Sequence, residues 1–145
     1  MATERTAEVT WRGSLLEGDG TIDSVGSGAF GPLEVTWAAR AEDVSPGHTS
    51  PEELIAAAHA ACFSMALSHG LAQAETPPTE LKTTATVTFV PGEGITKIVI
   101  HARGDVPGLD DAGFRAAAEA AKDNCPVSKA LAGNVEITLD ARLEG

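Results

Sequence analysis

Ser50-Pro-Glu-Glu-Leu-Ile-Ala-Ala-Ala-His-Ala-Ala-Cys-Phe-Ser-Met-Ala-Leu67 organises everything around it in this chain. Ser50 is a good helix N-cap, and Pro51 suits the first helical position. Glu52 and Glu53 complement the positive end of the helix dipole, and Ser50 and Glu53 stand at capping-box spacing. The spacing predicts a helix that starts here and ends near Gly70. It is built on alanine and is apolar on nearly every face, so the expectation is a long central helix buried among close neighbours. The mostly apolar run Leu54–Leu67 has only 14 residues and contains His59 and Ser64. A membrane span needs about 20.

On the N-terminal side, the first 45 residues read as short strands joined by glycine turns. Ala7–Arg12 alternates, with Val9 and Trp11 on one side, and Gly13, Gly18 and Gly20 punctuate the segment after it. Leu33–Arg40 reads as a further strand, and Glu42–Ser50 as a loop rich in turn residues. On the C-terminal side, Leu81, Thr83, Ala85, Val87 and Phe89 alternate with polar neighbours. Ile98, Ile100 and Ala102 do the same after the turn at Pro91–Gly94, which together make a hairpin. Asp110 or Asp111 caps a helix to about Lys122 with Phe114, Ala117, Ala118 and Ala121 on its buried stripe. Pro126 opens a short helix that Gly133 stops. Val135, Ile137, Leu139, Ala141 and Leu143 form the inward face of a last strand. Strands and helices are grouped and do not alternate as βαβ units. The fold class expected is therefore α+β, with helices on antiparallel sheets.

A length of 145 residues, 43% of them hydrophobic, suits one domain over 1–145. The formal charge of −11 opposes binding to nucleic acid, because an electronegative surface releases no phosphate counterions. It also opposes anionic membranes, and it favours a neutral or apolar small substrate. The N-terminus has no apolar segment of the signal-peptide kind, so the expected location is cytoplasmic. Two cysteines are too few for a secreted disulfide scaffold.

Those cysteines have contrasting settings. Cys125 stands at a predicted helix N-terminus, where backbone N–H groups stabilise a thiolate. Cys62 lies inside the long helix, where burial raises a thiol pKa, so it needs a cation from elsewhere. On this ground alone Cys125 is the better nucleophile. Arg40 and Arg12, each at a predicted strand end, are the candidate cations. Glu52 can orient a guanidinium near the helix start. The competing reading is that both cysteines are small, buried and inert. His59, Cys62, His69, His101 and Cys125 invite a metal-binding reading, but no paired ligand motif supports it. Walker, GxGxxG and GxSxG patterns are missing, and the lack of tyrosine with only 4% aromatics argues against a base-stacking platform.

Taken together, Ser50–Leu67 and Asn124-Cys-Pro-Val-Ser-Lys-Ala-Leu131 resemble the two cysteine motifs of the OsmC/Ohr family, osmotically inducible and organic hydroperoxide resistance proteins. The Cys-Pro-Val-Ser form and the arginine just before the loop are more similar to the OsmC branch. The resemblance implies an OsmC-like fold in an intertwined homodimer. It also implies a cysteine-based peroxidase that reduces organic hydroperoxides without cofactor or metal. Carried over by motif, Cys62 is the peroxidatic residue and Cys125 the resolving one, which reverses the preference drawn from the dipole. Arg40 corresponds to the arginine that holds the thiolate, with Arg12 as the alternative, and Glu52 to the carboxylate that orients it. A lipoyl-type or other external dithiol is the implied reductant. Phe63, Met65, Leu54 and Ile55 are expected to line an apolar site that favours alkyl hydroperoxides. The alternative is a non-catalytic, stress-related binding or metal-binding protein.

Overall fold

The computed structural model describes residues 1–42 and 46–144. The chain divides into two compact units, Met1–Leu54 and Ile55–Gly145.

In the first unit, β1 (Ala7–Arg12), β2 (Asp19–Val25), β3 (Leu33–Val35) and β4 (His48–Thr49) form one sheet in that order. β1 and β3 each run antiparallel to β2, and β4 runs parallel to β3. Gly20 in β2 lets the Trp11 ring lie against bare backbone. A Cβ there would stand 2.6 Å from Trp11 Cε3 and 2.9 Å from a Val35 methyl. The expected strand Leu33–Arg40 is only half right, since β3 stops at Val35 and a short helix α1 (Trp37–Ala41) follows. The cause is Thr36, whose hydroxyl accepts the Ala39 N–H at 3.1 Å and so caps the turn. The expected loop Glu42–Ser50 contains residues 43–45, which lie outside the described residues, and its His48–Thr49 portion is β4.

The long helix α2 (Pro51–Gln73) opens as the sequence predicts, with Ser50 Oγ accepting the Glu53 N–H at 3.1 Å. The reciprocal half of the capping box is replaced, because the Glu53 carboxylate takes the Thr49 hydroxyl at 2.9 Å. The helix runs past Gly70 because Leu71 is buried in the core. It ends where Glu75 adopts φ 64° and the Thr76 N–H returns to the Leu71 carbonyl at 2.9 Å. At 23 residues with mean hydropathy 1.4, α2 is by length and composition sufficient to cross a membrane. Here its Phe63, Leu67 and Leu71 belong instead to the core of the second unit.

That unit contains β5 (Glu80–Val90), β6 (Gly94–Asp105), α3 (Asp111–Asn124), α4 (Pro126–Leu131) and β7 (Glu136–Leu143). The β5–β6 hairpin has the predicted faces, with Ile98, Ile100 and Ala102 buried. β7 pairs with β6 in parallel, so the expectation of purely antiparallel sheets is corrected. The connection between them holds two helices, and a crossover of that length returns the chain in the same direction. Asp110 is the cap of α3, accepting the Gly113 N–H at 2.8 Å, and Phe114, Ala118 and Ala121 face inward. Phe63, Phe114, Leu67, Leu71, Ile98 and Ile100 form a closed apolar centre.

The helix expected to be buried among close neighbours is covered by this chain on one side only. Ala57, Ala58, Ala61 and Met65 are exposed, and Met65 retains 73% of its accessibility. They recur at helical spacing on the side away from Phe63, so this chain by itself covers only one stripe of the helix.

Candidate active site

The first unit contains a charged pair. Arg40 sits in the last turn of α1, and its Nε donates to Glu52 Oε1 at 3.0 Å and Oε2 at 3.3 Å. The Glu52 side chain is 9% exposed and that of Arg40 31%, so a buried carboxylate anchors a guanidinium that still reaches the surface. A charge-assisted bond of this kind fixes orientation as well as energy. Arg12, the alternative cation, ends β1 exposed. Beside Arg40 lies a pocket of about 390 Å³ with mostly apolar walls from Trp11, Leu15, Val35, Trp37 and Pro51. Phe63, Met65, Leu54 and Ile55, expected to line an apolar site, do not line this pocket. Phe63 has no exposure and packs in the core, and Met65 lies on the open face of α2.

The second unit brings the two cysteines together. Both are free thiols, Cys62 half-buried on α2 and Cys125 fully buried. Cys125 stands at the junction of α3 and α4. Its N–H donates to the Ala121 carbonyl at 2.8 Å, and its carbonyl accepts the Lys129 N–H at 3.0 Å. Burial pushes the Cys62 thiol pKa up, and the Cys125 thiol, within hydrogen-bonding reach, pushes it the same way by hydrogen bond and by charge. The backbone N–H of Val127 hydrogen-bonds to Cys62 and pulls its pKa down. One N–H in the first turn of α4, that of Val127, thus acts on Cys62, whereas Cys125 makes no side-chain capping bond to that helix.

Within one turn of each cysteine is a polar pair that the sequence reading missed as a unit. His59 Nε2 lies 2.8 Å from Ser128 Oγ, and both residues are buried. Burial holds the His59 pKa below its ordinary value, so the imidazole is neutral. The available signal was spacing: His59 precedes Cys62 by three residues, and Ser128 follows Cys125 by three. The other histidines raised for a metal are dispersed, with His69 exposed and His101 beside Asp140 at 3.5 Å. Among the described residues, no three His, Cys, Asp or Glu side chains are grouped to hold a metal ion.

An α+β chain in this element order, with two reduced thiols in mutual reach, defines a dithiol protein. The chain belongs to the OsmC-like protein family, whose model matches residues 44–140. It is 41% identical to the protein named peroxiredoxin OsmC of Escherichia coli (strain K12) over 147 residues, covering 99% of each. It is 37% identical over 92 residues to an organic hydroperoxide resistance protein of Xanthomonas axonopodis pv. citri, covering 63% of this chain and 65% of that one. Among solved structures, an organic hydroperoxide resistance protein from Elizabethkingia anophelis matches with TM-score 0.73 and 26% identity. That match covers 99% of this chain and 100% of the other.

Proposed function

We propose that this protein is a thiol-dependent peroxidase that reduces organic hydroperoxides to alcohols. The observation that carries the reading is the reach between two free thiols, Cys62 and Cys125. The names of its relatives, a peroxiredoxin and organic hydroperoxide resistance proteins, support the same chemistry. The Cys62 thiolate attacks the distal peroxide oxygen, the O–O bond breaks, and the alkoxide leaves as alcohol after taking a proton. Cys62 is left as a sulfenic acid, which condenses with the Cys125 thiol to a disulfide and releases water. An external dithiol, of lipoyl or similar type, then exchanges with the disulfide and restores both thiols.

Burial and Cys125 both oppose ionisation of Cys62, so the reaction needs a fixed positive charge. Arg40, permanently charged and held by Glu52, is the residue assigned to that task, and it also suits the negative charge developing on the leaving oxygen. The apolar pocket beside Arg40 fits the organic part of the substrate, with the indoles of Trp11 and Trp37 as its walls. Residues 1–145 act as a single functional domain in this reading. The exposed apolar side of α2 supports a homodimer, since a contiguous face of that kind is covered in soluble proteins. A cytoplasmic location follows from the need for reducing partners to reopen the disulfide each turnover.

The test is a count of free thiols before and after one equivalent of cumene hydroperoxide. The reading expects two thiols lost per chain, a Cys62–Cys125 crosslink by mass spectrometry, and no hydroperoxide consumption by Cys62→Ser. Full retention of both thiols, or their oxidation without a crosslink, would overturn it.

A further inference from the structure

The thiol chemistry leaves one buried polar group unused. His59 is fully buried, its Nε2 is bonded to Ser128, and its Nδ1 has no hydrogen-bond partner among the described residues. Burying an imidazole and a hydroxyl costs free energy, and one orphaned ring nitrogen adds to it. An apolar pair of similar volume would fill the space at lower cost, so the polar contact calls for another explanation.

Its placement supplies one. His59 lies within a turn of Cys62 on α2, and Ser128 lies within a turn of Cys125 on α4. The hydrogen bond therefore joins the helix that carries Cys62 to the helix that Cys125 caps, within one turn of each cysteine. α4 has only six residues and little stability of its own, so its position depends on what it is tied to. The adjacent contact, Val127 N–H to Cys62, requires the same register of α4 on α2. A hydrogen bond is directional where apolar packing is not, and forming a disulfide demands Cβ atoms about 3.5–4.5 Å apart.

We propose that the His59–Ser128 hydrogen bond is a positioning clamp that holds α4 against α2 so that Cys125 can reach Cys62 and close the disulfide. His59 and Ser128 are positioning residues and touch no reacting oxygen. The inference rests on the reading of Cys62 and Cys125 as a redox pair. The step it governs takes a Cys62 sulfenic acid and a Cys125 thiol to a disulfide and water.

The experiment compares full-length wild type, Ser128→Ala, Ser128→Thr and the double variant His59→Leu/Ser128→Ala in two arms. In the first, one equivalent of cumene hydroperoxide is added and samples are quenched with dimedone, then analysed by mass spectrometry. In the second, diamide oxidises the two thiols directly, taking two electrons and two protons to become its hydrazine. The clamp predicts loss of the Cys62 thiol within threefold of the wild-type rate in Ser128→Ala. It also predicts disulfide formation at least tenfold slower in both arms, with dimedone-trapped Cys62 accumulating in the first. Ser128→Thr, which keeps the hydroxyl, restores the rate. The double variant removes both polar partners and is close to wild type in thermal stability, so a slow crosslink in it reports position and not unfolding. Wild-type crosslinking by Ser128→Ala and the double variant overturns the clamp. If wild type ignores hydroperoxide, the peroxidase reading falls, and the diamide arm judges the clamp by the same tenfold criterion.

Discussion

Met65 is the sharpest probe of how this chain is assembled. It lies on α2 with 73% of its surface accessible, beside the exposed Ala57, Ala58 and Ala61. Fully burying a methionine is worth about 1.5–3 kcal/mol, so covering this one in a dimer contributes about 1–2 kcal/mol. A two-fold interface uses each residue twice, and Met65→Ala therefore costs about 2–4 kcal/mol of association. Met65→Asp adds the desolvation of a carboxylate, bringing the total to about 6 kcal/mol or more. The dissociation constant then rises by about 30- to 1,000-fold for Met65→Ala and at least about 10⁴-fold for Met65→Asp. Both substitutions are neutral for a monomer, because the side chain touches solvent. Analytical ultracentrifugation across nanomolar to micromolar protein measures the three constants, with circular dichroism to show that each chain is folded. A dimer in Met65→Asp as tight as wild type would refute the placement of the interface on this face. A wild-type monomer at micromolar concentration would refute the dimer itself.

Three further outcomes rest on particular contacts. Trp37→Ala opens the pocket beside Arg40 and should lower kcat/KM for cumene hydroperoxide about 10-fold, the loss of about 1.4 kcal/mol of apolar contact, while hydrogen peroxide turnover stays within twofold. Equal losses on both substrates would place the organic group elsewhere. His59 is held neutral by burial, below its ordinary 6.5, so the unfolded chain binds the extra proton first on acidification. Its contribution is complete above about pH 6.5 and is lost as pH falls from there through the folded pKa. Urea midpoints at pH 7.5 and 5.5 should converge in His59→Gln, and an unchanged pH slope would contradict this. Gly104→Ala puts a methyl 2.5 Å from Phe114 Cε1 and 2.7 Å from its Cζ, overpacking the core by about 1–3 kcal/mol. Phe114→Leu in the same chain should recover part of that loss in urea denaturation, and strict additivity of the two changes would exclude the clash.

The parts of the fold that were legible in the sequence are those whose cause is local. β5, β6 and β7 show their faces because alternation has period two, and α2 and α3 announce their starts through Ser50 and Asp110. What the sequence obscured was either long-range or decided by one residue. The parallel pairing of β6 with β7 depends on a crossover through α3 and α4, which no window of either strand contains. Leu33, Val35 and Trp37 carry the alternation of a strand, and the Thr36 cap turns the chain into helix from Trp37. The exposure of Met65 was equally hidden, because an apolar helix reads the same whether its second face meets its own chain or another.

The site was legible in the same uneven way. The first turn of α4 does present an N–H to a thiol, as the dipole predicts, but it does not serve Cys125, the cysteine nearest in sequence. A helix end stabilises whichever anion faces it, and in the folded chain the N–H of Val127 faces Cys62, 65 residues away in sequence. Cys125, as the N-cap, has its backbone committed to α3 and α4 and makes no side-chain bond to the helix it caps. This removes the objection to Cys62 as the attacking thiol, since helical N–H stabilisation reaches it from outside its own helix. It does not complete the activation. Burial and the neighbouring thiol outweigh one backbone donor, and the Cys62 pKa is raised on balance. A peroxidatic role for Cys62 therefore requires a further positive charge. The requirement is strict: if Cys62 reacted as fast in Arg40→Ala as in wild type, the thiolate would be stabilised by something other than the arginine that Glu52 holds.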